Sequence, residues 1–356
     1  MIVVLVVGPI LSAAGLPASA MPSPSSMTDA STRASMNSTR SLAADALAAS
    51  ARGVFTSYDQ LKAAVSEWLN NEVAARAKHG DIFDWDVHAV DNMKRLFNGA
   101  TSFNSDIGSW NTGRVTDMTS MFFGAENFNR DLRWDVSKVT SMERMFRGAS
   151  VFNGDISSWN LQSVLDTTQM FEYAEAFNGD IGSWNTARAT HMEAMFRGAS
   201  SFNADIRFWK TQSVENMKGM FTQAYAFNQD ISRWNVRKVK KMNEMLLLAT
   251  SFNTDVSNWN IDKVESFEGT FDGTALSYCN KAKIATAFQS SPAFQSYYSG
   301  WTQYSRYCNW EPPSPPPPPN RRPPVIARPP PSRRPPPPPP SPPPPPPSPT
   351  PPGGWG

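Results

Sequence analysis

The chain has 356 residues, a formal net charge of +2 and only 18% charged residues, a balance that gives no electrostatic pull toward nucleic acid or an anionic membrane surface. Proline is the anomaly: of 32 prolines, 27 lie between Pro312 and Pro352, and only Pro292 falls between Ala51 and Trp310. That distribution excludes one uniform globular chain and separates a proline-poor middle from a tail that can form neither helix nor sheet.

The chain opens MIVVLVVGPILSAAGLPASA, an apolar run from Ile2 to Leu16 that is broken by Gly8 and Pro9 and ends in Ala18-Ser19-Ala20. A run of this length before an A-x-A site is the pattern of a signal peptide over 1–20, and it is short of the ~20 apolar residues of a membrane span. Its n-region has no Lys or Arg, so the α-amino group alone supplies positive charge and an uncleaved anchor is the other reading. No later segment is apolar enough to give a stable membrane span. Residues 21–50 read as a flexible linker, with a frayed helix over Ser41 to Ser50 and a glycosylation sequon at Asn37-Ser38-Thr39.

Residues 51–80 read as an N-terminal helical cap. Leu61, Ala64, Val65, Trp68, Leu69 and Val73 fall at three-and-four spacing, which predicts a helix over 58–78, capped by Asp59 and stopped at Gly80. One apolar stripe needs a partner, and the next segment supplies it.

From 81 to 275 the chain repeats. Tryptophans stand at 85, 110, 134, 159, 184, 209, 234 and 259, so the step is 25 residues except for one of 24 at "RDLRWD". An FN asparagine recurs at 104, 129, 153, 178, 203, 228 and 253, and an aspartate recurs at 81, 106, 131, 155, 180, 205, 230 and 255. The unit is V-x-x-M-x-x-M-F-x-G-A-x-x-F-N-x-D-I-x-x-W-N-x-x-x, about eight times over. A fixed period with repeated apolar positions is the signature of a solenoid, in which each coil buries its apolar letters against the same letters of the next. The spacing M-x-x-M-F-x-x-A predicts a short helical turn, and Arg114-Val115 or Lys138-Val139 predicts a short strand in a parallel ladder. Glycine often follows the Phe, but Tyr173, Gln223 and Leu248 stand there too, which reads as a preference of the turn and not a strict need for positive φ.

Residues 276–310 break the period and read as a C-terminal cap, with a helix over Lys281 to Phe288. They hold both cysteines, Cys279 and Cys308, and in an oxidising compartment such a pair points to a disulfide before a redox or metal site. Residues 311–356 read as a disordered polyproline II tail. Five arginines there against Glu311 make it basic, and its surface is of the kind that SH3 or WW domains or wall partners contact.

The unit "VTSMERMFRGASVFNGDISSWN" resembles the repeat of BspA-family leucine-rich-repeat-like surface proteins, of the kind abundant in mycoplasma surface lipoproteins and in algal and protist secreted proteins. The likeness covers 81–275, and the lead-in "AVSEWLNNEVAARAKHGDIFDWDV" is similar too. Departures are local: Thr167 replaces a Met, Ala189 a Val, and Leu246-Leu247-Leu248 the F-x-G. The resemblance implies a leucine-rich-repeat-like solenoid at the cell surface or secreted, with a recognition and adhesion role, and it supplies no catalytic residues. The tail resembles, by composition, the Ser-Pro-rich segments of plant and green-algal hydroxyproline-rich glycoproteins, which space or anchor proteins in a wall.

Eight stacked carboxylates in the Asp column would repel. Capping of each turn's own N–H groups offsets that, and bound calcium, which needs about 6–8 oxygens, is the competing reading. The Asn column reads as a ladder satisfying backbone carbonyls, and the Trp, Phe and Met columns as core. Just before each Val runs a basic column, Arg114, Lys138, Arg188, Lys238 and Lys263, interrupted by Ser163 and Ser213. Variable polar residues beside a repeated strand are where repeat proteins carry specificity, so this column is the candidate binding face for a protein or glycan ligand. No Ser-His-Asp set, GxGxxG, P-loop or HExxH motif is visible, and neither an enzyme, a cofactor nor a metal is expected. The expected function is surface recognition and adhesion. The alternative is a structural matrix or wall component assembled through solenoid and tail.

Overall fold

A unit of this length cannot enclose its own Val, Met, Phe, Ile and Trp side chains, so its stability must come from neighbours. The computed structural model describes residues 53–308. The expected signal peptide, the expected linker with Asn37 and the proline-rich tail lie outside the described residues. Successive repeats form a stack of coils around one continuous core that runs from Phe55 to Tyr298. Repeated letters meet repeated letters. Phe97, Phe122, Phe146, Phe171, Phe196 and Phe221 stack in a file at centroid spacings of 5.4 to 5.7 Å. The tryptophans stack at 6.1 to 6.5 Å. Each indole N–H reaches back to a carbonyl of the preceding coil: Trp110 to Ile82 at 2.8 Å, Trp159 to Leu132 at 2.7 Å. That polar handle, satisfied inside the core, is why Trp and not Phe holds this position.

The backbone is joined differently from the expectation. The amides of Met93, Arg95, Phe97 and Gly99 donate to the carbonyls of Asp117, Thr119, Met121 and Phe123 at 2.7 to 2.9 Å. Met118, Ser120, Phe122 and Gly124 make the same four bonds to the following coil. In between, Leu96, Asn98 and Ala100 close turn bonds onto Met93, Arg95 and Phe97. The M-x-x-M-F segment is therefore a run of linked turns and not a helical turn. Nor is there a strand at Arg114-Val115 or Lys138-Val139: parallel pairing occurs as single-residue bridges two positions after the Val, such as Asp117 with Ser141 and Asp166 with His191. Tight turns such as Val115 N–H to Thr112 O leave no run of extended residues.

Aiming every second amide at the next coil requires left-handed backbone twice per coil. One column is Arg95, Ser120, Arg144, Gln169, Ala194, Gly219, Glu244 and Gly269; the other contains Gly99, Gly124, Gly148 and Gly198. Tyr173, Gln223 and Leu248, in the second column, also sit at φ of 58° to 59°. This corrects the sequence reading, which took positive φ there as optional. The conformation is demanded because these amides bond Arg197, Leu247 and Asp272 of the following coil, and the stack absorbs a strain of roughly 1–2 kcal/mol at each non-glycine.

The caps match this polarity. The N-terminal helix is two: α1 (Tyr58–Asn70), capped by Ser57 and not by Asp59, and α2 (Glu72–His79), capped by Asn71 and ended at Gly80. Asn71 breaks the run because its extended backbone lets its side chain accept from the Ala74 amide. Leu61, Ala64, Val65 and Trp68 are buried, whereas Leu69 and Val73 face solvent. The first coil's outward carbonyls are met by α1, where the Tyr58 hydroxyl donates to Lys94 O at 2.8 Å.

At the other end, α3 (Tyr278–Ala287), capped by Ser277, begins three residues before the expected start, and α4 (Pro292–Tyr298) follows with Ser291 as cap. There the Tyr298 oxygen accepts the Phe271 amide at 3.0 Å and its hydroxyl donates to Asp272 Oδ1 at 3.0 Å. Burial pushes the Tyr298 phenol up, so it stays protonated. Cys279 and Cys308, the pair expected to form a disulfide, are brought together with their sulfurs unbonded here. A hydrogen bond with Cys279 pushes the Cys308 thiol up. Ring packing of Tyr278 on Tyr304 at 4.9 Å also holds α3 to the 3₁₀ segment Ser299–Tyr307. Among the described residues no helix is long and apolar enough to cross a membrane.

Tyr298→Phe removes an acceptor from a buried amide, so we expect a loss of about 1–3 kcal/mol in urea unfolding. Tyr58→Phe, at an exposed carbonyl that water can serve, should cost less than about 1 kcal/mol. Equal and small losses would show that the C-terminal amide column needs no acceptor.

Candidate binding face

Arg114, Lys138, Arg188, Lys238 and Lys263 are all exposed, and each precedes a buried residue: Val115, Val139, Ala189, Val239 or Val264. The geometry is set locally. The buried residue's amide closes a turn onto the carbonyl three positions back, and the residue after it bonds the previous coil, as in Thr140 to Thr116 O and Lys240 to Glu215 O, both at 2.9 Å. Asn111, Asp135, Asn160, Asn185, Asn235 and Asn260 brace the approach, each accepting the amide two positions on. The cations thus project from an anchored ladder. With about 4.8 Å per coil, Arg188 and Lys238 stand about 10 Å apart and Lys238 and Lys263 about 5 Å apart.

None of the five forms an ion pair among the described residues. Their neighbour Lys240 does, with Glu215 at 2.8 Å, and the pairing lowers the Glu215 pKa and raises that of Lys240. The two serines that interrupt the column are structural: Ser163 and Ser213 donate to Ser137 O and Ala187 O of the preceding coil. Two exposed cations missed from sequence, Lys210 and Arg237, lie in adjoining positions and have no ion-pair partner among the described residues. Lys210 could have been noticed as the one residue replacing Asx in its column.

Every aspartate of the column except Asp131 caps its own turn. Asp106 Oδ1 accepts the Gly108 amide at 2.9 Å, Asp155 that of Ser157 at 2.9 Å and Asp230 that of Ser232 at 3.0 Å. Among the described residues no three His, Cys, Asp or Glu side chains come together as a metal site. The Asn column is a ladder with a partner other than expected: each side-chain oxygen accepts the next Asn's backbone N–H and does not serve a carbonyl, as in Asn153 to Asn129 Oδ1 and Asn203 to Asn178 Oδ1.

On another column, Arg147, Glu172 and Arg197 form a chain of charges that ends on Glu244 of the adjacent left-handed column. Arg147 pairs with the buried Glu172, Arg197 reaches Glu172 at 3.9 Å, and its other nitrogen reaches Glu244 at 3.2 Å. Arg197 can span to Glu244 because Gly219 lies beneath it, where a Cβ would come within 2.6 Å of its Nη2. Alternation of Arg, Glu and Arg down one column was the available sequence signal.

A family model described as "Mycoplasma protein of unknown function, DUF285" matches residues 69–182 and 175–284. No curated protein and no solved structure matches the chain.

Hydrogen bonds from Ser137, Ser157 and Ser232 hold Asp135, Asp155 and Asp230 below the ordinary carboxylate range, and His88 and Arg207 do the same for Asp86 and Asp205. Depressed folded values stabilise the protein above the unfolded carboxylate pKa of ~3.9, and that contribution disappears as pH falls through the folded values. Unfolding midpoints should therefore be level from about pH 7 to 5 and drop below about pH 4. Ser157→Ala should lose more stability at neutral than at acid pH, and chelation should leave the melting midpoint in place. A sharp drop on chelation would instead put calcium in the column.

Proposed function

The chain belongs to the family described as "Mycoplasma protein of unknown function, DUF285", and from that premise we propose that it is a non-enzymatic recognition and adhesion protein, secreted or held at the cell surface or wall. In this reading the coils are a BspA-like, leucine-rich-repeat-like solenoid, and the variable face beside each buried Val binds an acidic glycan or protein. The observation that carries it is the set of five exposed cations, Arg114, Lys138, Arg188, Lys238 and Lys263, without ion pairs among the described residues although carboxylates recur in every coil. Cations left unpaired on a ladder braced by buried side chains keep their charge for a partner and lose little entropy on binding. The apolar N-terminal run and the proline-rich tail support export and spacing from a surface.

The test is a binding screen of the full chain against acidic glycans and acidic proteins, repeated with the triple variant Arg188→Glu, Lys238→Glu and Lys263→Glu. We expect affinity to fall about tenfold or more and to weaken with salt, with little change in melting midpoint. Unchanged affinity sinks the reading. Self-association with no binding to any probe would favour a structural wall component.

A further inference from the structure

The single short repeat leaves a mark on the surface. From Asp to Trp the chain takes four steps in every coil except one, where Asp131-Leu132-Arg133-Trp134 takes three. In the other seven coils the Trp amide closes a turn onto the Ile or Val carbonyl three residues back, as in Trp110 to Ile107 and Trp159 to Ile156. Trp134 makes no such bond among the described residues. Asp131 likewise does not cap its own turn: its Oδ1 accepts the Asp155 amide of the next coil at 2.8 Å, while the Leu132 amide bonds Asp155 O. The following coil closes in, and at Gly154 a Cβ would lie only 2.1 Å from Arg130 O. One missing residue has removed a surface turn and drawn the backbone inward.

What remains is a cleft of about 380 Å³ lined by Phe83, Asp106, Gly108, Ser109, Asp131 and Arg133. Phe83 is 44% exposed, and its backbone is pinned because the Ser109 hydroxyl donates to Phe83 O at 2.5 Å. Asp106 and Asp131 each use only Oδ1 in hydrogen bonds among the described residues. Arg133 is exposed and makes no hydrogen bond or ion pair among the described residues.

We propose that this notch is a binding site for a neutral sugar, a mono- or disaccharide unit at the end or branch of a glycan. A pyranose offers C–H groups on its face and hydroxyls at its edge. Phe83 receives the face, the free Oδ2 atoms of Asp106 and Asp131 accept from hydroxyls, and the Arg133 guanidinium donates to them. Two carboxylates against one guanidinium disfavour an acidic sugar, and Arg133 in the same cleft disfavours a cation. The volume is at the small end of ligand pockets, which run from about 300 to 1,000 Å³. This site stands apart from the basic column and does not rest on it.

The experiment is saturation-transfer NMR and titration of the full chain with glucose, galactose, mannose and N-acetylglucosamine and their disaccharides. We expect transfer to the ring C–H protons of at least one of them. Phe83→Ala and Asp131→Asn, both at exposed positions, should weaken it about tenfold each. Inserting a serine between Leu132 and Arg133 restores the regular period; it should abolish binding while the melting midpoint holds or rises. The triple reversal of Arg188, Lys238 and Lys263 should leave sugar binding unchanged. The proposal is overturned if no sugar binds at millimolar concentration, or if Phe83→Ala and the insertion both bind as before. It is also overturned if calcium, and no sugar, binds in a manner lost in Asp131→Asn.

Discussion

Six successive coils, from Met93 to Gln223, each send four amides to four carbonyls of the following coil, and the stack depends on that one-way arrangement. A β-ladder alternates donors and acceptors along each strand edge. Here, over the M-x-x-M-F-x-G segment, every inter-coil donor faces one neighbour and every inter-coil acceptor the other, while the amides in between close turns within the coil. A coil therefore satisfies its backbone only between two coils of the same handedness and register, and burying such groups unmet costs free energy. The ends must accordingly differ in chemistry. A phenol, which can both donate and accept, serves at each: Tyr58 donates to the first coil's carbonyl, and Tyr298 accepts the last coil's amide.

The same constraint explains which letters repeat. Alternate amides can aim forward only if two residues per coil are left-handed, and the Phe, Met and Trp files can stack only if neighbouring coils are equal in length. Polar residues at the turns repeat for a humbler reason. Asp and Asn side chains shorten their own turns by accepting the amide two positions on, and the FN asparagine accepts the next coil's amide, so both are part of the scaffold. What is left unassigned is the basic column, Lys210 and Arg237 beside it, and the place where the period fails.

Much of this was legible in the sequence, because burial follows the period. Every repeated Val, Phe, Ile and Trp named from the pattern is buried, and the exposure of the residues before the Val followed from their variability. The backbone conformation was not legible. M-x-x-M-F-x-x-A fits a helical turn as well as it fits linked turns with left-handed residues, since both place the apolar letters on one side. Arg95, Arg144 and Glu244 carry no sign of positive φ; only their hydrogen bonds to the next coil impose it. At the N-terminal cap the stripe ran through Leu69 and Val73, but Asn71 had a better use as a cap, and the helix turned there.

A regular stack offers the same groove to solvent at every coil, and sameness is a poor basis for recognition. Distinct chemistry must enter by exception, and the exceptions here are of two physical kinds. Some are substitutions that leave the backbone untouched. Gly219 is one, since losing its side chain lets Arg197 bridge Glu172 and Glu244 across two coils. The deletion before Trp134 is of the other kind. It keeps the tryptophan in its file, stacked on Trp110 at 6.5 Å and on Trp159 at 6.4 Å, so the core does not register the missing residue. The whole change in chain length is taken up at the surface, where a turn disappears and Phe83, Asp106, Asp131 and Arg133 border the space it left. A core that enforces register while the turns absorb length changes allows such a repeat to acquire a site without losing its stack.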